Sequence, residues 1–354
     1  MIQPERRTDN FKTVLDVLLN PAKPFPPIYL HSFSDLNPRE LAELKAVWAK
    51  VPSQRRQSLL EDLEELADAD TLVSFEEIGR MALTDEAAKV RALAIRLLWD
   101  VQERKLAPTY LQMLENDPDM EVRATDATAL GTYVYLGEIE EIPASLLKTI
   151  EDSLLKKVNS QDEPLVRRRA LESLGFSSRP EVPDLIHQAY EMGQPEWMES
   201  SLFAIGRSAD KAWETAVLTQ FNNPRDYIRA EAIQAAGELE LASARLPLLQ
   251  VLEDEPENED VWAAAVWSLS QIGGEDVRGT LEQLLEHTDD PDETGFLEEA
   301  LDNLSFTEDM AIFDLLEVDP DETETRIVDS DGNLTNGDLP ADSENKKKKP
   351  KKNR

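Results

Sequence analysis

Three histidines, no cysteine and 72 carboxylates are the material from which a reactive site in this 354-residue chain would have to be built. His31 lies in a proline-rich arm, His187 inside an apolar helical run and His287 just past another, so no shared site gathers them. Acid–base catalysis needs a titrating ring within hydrogen-bond reach of the group it serves, and a lone helical histidine does not meet that need. Without cysteine there are no thiolate nucleophiles, thiolate metal sites or disulfides. No G-x-S-x-G elbow, G-x-G-x-x-G turn or phosphate loop occurs. Asp329, Asp331 and Asn333 have the spacing of a calcium loop, but Leu334 stands where that loop needs glycine and no carboxylate closes it. Carboxylates are so numerous that close pairs follow from composition and single out nothing. The expectation is a protein without catalytic residues, metal or cofactor, and the side chains left to carry function are those of binding surfaces, arginine and aromatics.

What positions such residues is a repeat. VRALAIRLLW from Val90, VRATDATALG from Val122, VRRRALESLG from Val166 and IRAEAIQAAG from Ile228 share one pattern, with weaker copies from Trp197, Val261 and Phe296. The steps between them are 32, 44, 31, 31, 33 and 35 residues, a period that signals a stack of helical hairpins. Within a copy, positions one, five, six and nine are mostly apolar or small, as in Ile228, Ala232, Ile233 and Ala236, and these fall on one face of a 3.6-residue helix. Position ten is glycine in four copies, Gly131, Gly175, Gly206 and Gly237, which fits either a helix end or a close approach by the next segment. A second apolar helix precedes most copies, across polar turns such as Asn116-Asp117-Pro118. The step of 44 predicts a long loop near Tyr133 to Pro143.

An Asp or Asn in the turn, followed five residues later by Val-Arg or Ile-Arg, resembles the HEAT repeat, in particular the short bacterial form found in phycobilisome-lyase-like proteins. Asp85 with Val90-Arg91 and Asp117 with Val122-Arg123 fit best; Asn223 with Ile228-Arg229 is close, and Arg167 has Asp162 nearby. The resemblance covers about residues 38–306. It implies an all-α fold, an α-solenoid of about seven to eight hairpins with a disordered C-terminal tail, in which turn carboxylates and arginines (Asp85, Arg91, Asp117, Arg123, Asp162, Arg167, Asn223, Arg229) form a ladder between hairpins. Arginine is missing at Met198, Trp262 and Leu297, so the ladder weakens later in the chain. No histidine precedes a glutamate, which removes the His-Glu pairs of the iron-dependent hydroxylases built on this repeat.

Around the stack, residues 1–37 form a proline-containing arm whose run Phe11 to Leu19 reads as a cover for the first repeat, residues 307–345 an acidic disordered segment, and residues 346–354 a basic tail. The tail (Lys346, Lys347, Lys348, Lys349, Lys351, Lys352, Arg354) holds seven of the 37 basic residues, which leaves 30 against 72 acidic ones and a body charged −42. Such a body repels a phosphate backbone along most of its surface, so nucleic acid is not the expected partner of the body and is left to the tail. With no apolar leader and no membrane-length apolar run, the chain reads as soluble and cytoplasmic.

In HEAT stacks the second helices line the concave side. The outward stripe at the fourth, seventh and eleventh positions there carries Arg96, Arg169, Phe176, Phe203, Arg207 and Trp267, the expected partner-binding residues; the alternative is that Phe203 and Trp267 are core between hairpins. The expectation is therefore a non-enzymatic scaffold for a protein or peptide partner with basic segments. Two other readings stay open: a bilin-lyase-like enzyme or subunit, and nucleic-acid or ribosome association through the tail.

Overall fold

A computed structural model describes residues 11–254, 256–316, 327–328 and 334–335. The chain divides into two units, Met1–Leu304 and Ser305–Arg354. The first is an α-solenoid in which each copy's apolar stripe is buried against its neighbours. Val90, Ala94 and Ile95 are fully buried, as are Val166, Ala170, Leu171 and Leu174. A single hairpin cannot hide such a stripe; stacking does.

The hairpins pair α2 (Pro38–Trp48) with α3 (Ser53–Ala69), α4 (Glu76–Ala82) with α5 (Ala88–Leu97), α6 (Ala107–Asn116) with α7 (Met120–Glu138), and α8 (Ala144–Val158) with α9 (Pro164–Leu174). They continue as α10 (Val182–Glu191) with α11 (Pro195–Arg207), α12 (Glu214–Gln220) with α13 (Asp226–Glu238), α14 (Arg245–Glu253) with α15 (Glu259–Ile272), and α16 (Val277–His287) with α17 (Pro291–Leu316). Turn polar residues start two of the second helices: Asp119 caps α7 and Asn258 caps α15 through their side chains.

The arm is a folded cover. Helix α1 (Phe11–Leu18) buries Phe11, Val14, Leu15 and Leu18, and a 3₁₀ stretch, Pro27–Phe33, buries Leu30 and Phe33. The rings of Phe11 and Phe33 meet edge to face at 5.9 Å. Arg55 of α3 ties the arm down by donating to the carbonyl of Asn20 at 2.7 Å.

One expectation needs correcting. The extra residues in the step of 44 are not a loop: α7 runs on to Glu138, because Tyr133, Val134 and Leu136 continue its buried stripe. Helix α17 runs to Leu316, and a two-residue antiparallel ladder pairs Ile327 with Thr335 and Val328 with Leu334. Asp329, Asp331, Asn333 and the basic tail Lys346 to Arg354 lie outside the described residues. Among the described residues no helix is long and apolar enough to cross a membrane.

Candidate functional site

The second helices α3, α5, α7, α9, α11, α13 and α15 each pack directly on the next, far more closely than the first helices do. From α7 onward the position-ten glycines allow this close approach: Gly131, Gly206 and Gly237 lie inside their helices, and Gly175 is the residue at which α9 ends. A Cβ on Gly175 would stand 2.7 Å from the Ala204 carbonyl oxygen and 2.9 Å from its Cα. One on Gly131, inside α7, would stand 2.8 Å from Ser173 Oγ.

Arginines lock the turns at one end of this row. Arg91 makes a two-pronged pair with Asp117 of the next turn, both contacts 2.7 Å, and donates to the Asp85 carbonyl at 2.8 Å. Arg123 repeats the pattern one hairpin on, with contacts of 3.0 and 2.6 Å to Asp162 and 2.7 Å to the Asp117 carbonyl. Despite the cost of burial, hydrogen bonds from Arg123 and Lys157 hold the Asp162 carboxyl below the usual aspartate range. A rung the sequence reading missed precedes these: buried Arg56 pairs with Asp85 at 3.1 Å. Its copy starts at Arg55, where others have Val or Ile, but Leu59, Leu60 and Leu63 keep the apolar offsets and were the available signal.

The ladder then stops. Arg167 donates to the Val158 carbonyl and stacks over Trp197 at 5.3 Å, because Met192 stands where a turn carboxylate would receive it. Arg229 turns back to the Asn223 carbonyl at 2.9 Å and to Asp226 of its own helix, and Asn223 caps its own turn by accepting from the Arg225 amide.

Along the row, the six expected binding residues have different fates. Arg96 is held by Glu64 of α3 through contacts of 2.7 and 2.5 Å. Arg169 pairs with Glu172 at 2.6 Å, and the other Glu172 oxygen accepts from Ser200 Oγ at 2.6 Å. Glu172 of α9 and Ser200 of α11, outward by helical offset, are buried where these two helices meet. The guanidinium of Arg207 sits between two rings, 4.0 Å from the centroid of Phe203 and 4.6 Å from that of Phe176. Phe203 lies outside the core cluster, whereas Phe176 and Trp267 rest against it half-buried. Trp267 also meets Phe296 of α17, rings 6.2 Å apart.

Around Arg207 the electrostatics are lopsided. Burial pushes the Glu231 carboxyl up to about 8, aided by the charges of Glu238, Glu172 and Glu199 and opposed by Arg207. Burial likewise raises Glu238 and Glu199. Glu238 remains exposed at its surface, so it is crowded by protein yet reachable by a ligand. Burial lowers the Arg207 guanidinium. Next to this cluster a cavity of about 400 Å³ opens between α13, α15 and α17, lined by Tyr227, Glu231, Gln234, Asp260, Trp267 and Phe296 among others. Glu231 and Glu238 lay in the expected stripe, but the abundance of glutamate hid them; Asp260, Tyr227 and Phe296 lie outside it. No group of carboxylates and histidines suited to a metal ion occurs among the described residues.

Residues 214–302, from α12 into α17, match the HEAT repeats family profile. No curated protein matches the sequence. Among solved structures, the Escherichia coli protein YibA aligns with 81% of this chain and 99% of its own at 18% identity and a TM-score of 0.41. The complex of CpcE and CpcF of phycocyanin lyase from Nostoc sp. PCC7120 aligns with 80% and 98% at 19% identity and 0.38. Human deoxyhypusine hydroxylase in complex with glycerol aligns with 74% and 95% at 17% identity and 0.32. Overlaps of this size transfer neither activity nor ligand to this chain.

Proposed function

We propose that this HEAT-repeat protein is a non-enzymatic scaffold that holds a basic segment of a partner polypeptide along the second-helix face from α9 to α15. The observation that supports this reading most directly is Glu231. Its carboxyl faces Glu172, Glu199 and Glu238 with Arg207 as the opposing cation, and among the described residues it makes no hydrogen bond or ion pair. A crowded carboxylate short of counter-charge is costly for the free protein, and a cation brought by a partner relieves that cost. The acidic body adds a long-range field of the same sign.

Calorimetric titration of the full chain with basic, neutral and acidic nonapeptides tests the reading. Basic peptides alone should bind, and the double variant Glu231→Gln, Glu238→Gln should bind them about tenfold more weakly. A carboxyl that titrates near 8 is mostly protonated at pH 6 and mostly ionised at pH 9, so affinity should rise across that interval. The double variant should lose the pH dependence. Equal binding of acidic and basic peptides would sink the reading.

A further inference from the structure

Two repeats separated by one other fill the same place in different ways. Phe203 and Trp267 both occupy the seventh position of their copies. Beside Phe203 the chain supplies its own guanidinium: Arg207 lies between Phe203 and Phe176 and donates to the Glu172 carbonyl at 3.3 Å. Beside Trp267 the described residues supply none. Gln234, Glu238 and Gln271 stand at the stripe positions there, among the described residues no lysine or arginine lines the space, and the cavity of about 400 Å³ is open to solvent. Its walls pair aromatic rings, Tyr227, Trp267 and Phe296, with two carboxylates, Glu231 and Asp260.

Those walls select a chemistry. The face of an aromatic ring attracts a cation, tryptophan most strongly. A guanidinium is planar, stacks on such a face and presents a fork of donors to a carboxylate, whereas an ammonium is a compact, strongly hydrated charge that does neither as well. The molecule already seats a guanidinium between two rings elsewhere in the same row, at Arg207. Resting on the scaffold reading above, we infer that this cavity takes the guanidinium of an arginine side chain from a partner polypeptide, stacked on Trp267 and forked onto Glu231 and Asp260. In that arrangement the partner's arginine does for Trp267 what Arg207 does for Phe203. The pocket then sets specificity for arginine, while the wider acidic face accepts basic residues of either kind.

The test compares dye-labelled nonapeptides of sequence Ser-Arg-Gly repeated three times with the same peptide carrying lysine or neutral citrulline, titrated by fluorescence anisotropy into the full chain at low salt. The arginine peptide should bind at least about fivefold more tightly than the lysine peptide, and citrulline should not bind. Trp267→Leu should erase the arginine advantage and leave lysine affinity within about twofold. Because Trp267 rests against the core, a surface variant backs this up: Gln234→Arg seats a guanidinium from within and should weaken the arginine peptide about tenfold, with the thermal midpoint unchanged. Equal affinity for arginine and lysine, untouched by either variant, overturns the pocket and leaves the basic-segment scaffold standing. No binding of either peptide overturns both. Self-association of the full chain that Trp267→Leu abolishes would make a second copy the occupant and overturn the partner assignment.

Discussion

Asp126 stands at the fifth position of its copy, where the other copies carry Ala94, Ala170, Ser201, Ala232, Ala265 and Ala300. It is wholly buried in α7, and among the described residues neither carboxyl oxygen has a hydrogen-bond partner; the nearby backbone of Leu114 offsets little of that. The Tyr110 hydroxyl is equally without a partner, and burial pushes that phenol well above its usual value. Desolvation holds the Asp126 carboxyl protonated far above the ordinary aspartate value of 3.8. Asp126→Ala, which restores the residue the repeat uses elsewhere, should stabilise the fold by about 1–3 kcal/mol at pH 8, measured by urea denaturation. The sign with pH is fixed: the folded state keeps a proton that the unfolded chain releases above 3.8, so wild-type stability falls as pH rises from there. The gain from Asp126→Ala should therefore be larger at pH 8 than at pH 4. An equal gain at both would mean that the carboxyl is ionised in the fold or paired. The apolar period marks position 126 as core from the sequence alone, but periodicity reports faces, and only the packed structure shows that nothing polar meets this side chain.

At the scale of the helix, a glycine in right-handed conformation is ordinarily a weakness that alanine repairs by about 1 kcal/mol. Gly175, with φ of −51°, should behave in the opposite way. Its missing Cβ is what lets α9 and α11 touch, and the atoms in the way belong to the Ala204 backbone, which no rotamer change can move aside. Gly175→Ala should lower stability by about 1–3 kcal/mol, whereas Gly279→Ala, where nothing lies within 4 Å of the new Cβ, should raise it by up to about 1 kcal/mol. Paired thermal melts decide the matter, and two changes of the same sign would remove close approach as the role of Gly175. The recurring glycine was legible in the sequence, but its role was not, since a close approach belongs to two helices and a sequence shows one at a time. The ladder was half legible for the same reason. The spacing of Asp117 to Val122-Arg123 marks a rung, yet Arg123 reaches forward to Asp162 and Arg91 forward to Asp117, pairings set by the stacking of hairpins. Where Met192 replaced the acid, Arg167 took the face of Trp197 instead.

For the whole molecule, the charge of −35 was the most legible feature of the sequence and the least informative about place. With 72 acidic residues, Glu231 differs from its peers through Glu238 on its own helix and neighbours brought from two other helices, α9 and α11. Field and pocket should nonetheless separate in time. The field acts over roughly a Debye length, about 10 Å at 0.1 M salt, and so governs how often a basic segment arrives. Contacts with Trp267 and Glu231 exist only after docking and so govern how long it stays. In stopped-flow binding of the arginine nonapeptide, raising sodium chloride from 20 to 300 mM should slow association about tenfold while dissociation changes much less. Trp267→Leu should do the reverse, leaving association within about twofold and speeding dissociation. If salt and the substitution both act on dissociation alone, the acidic body does not steer, and its charge serves something other than capture.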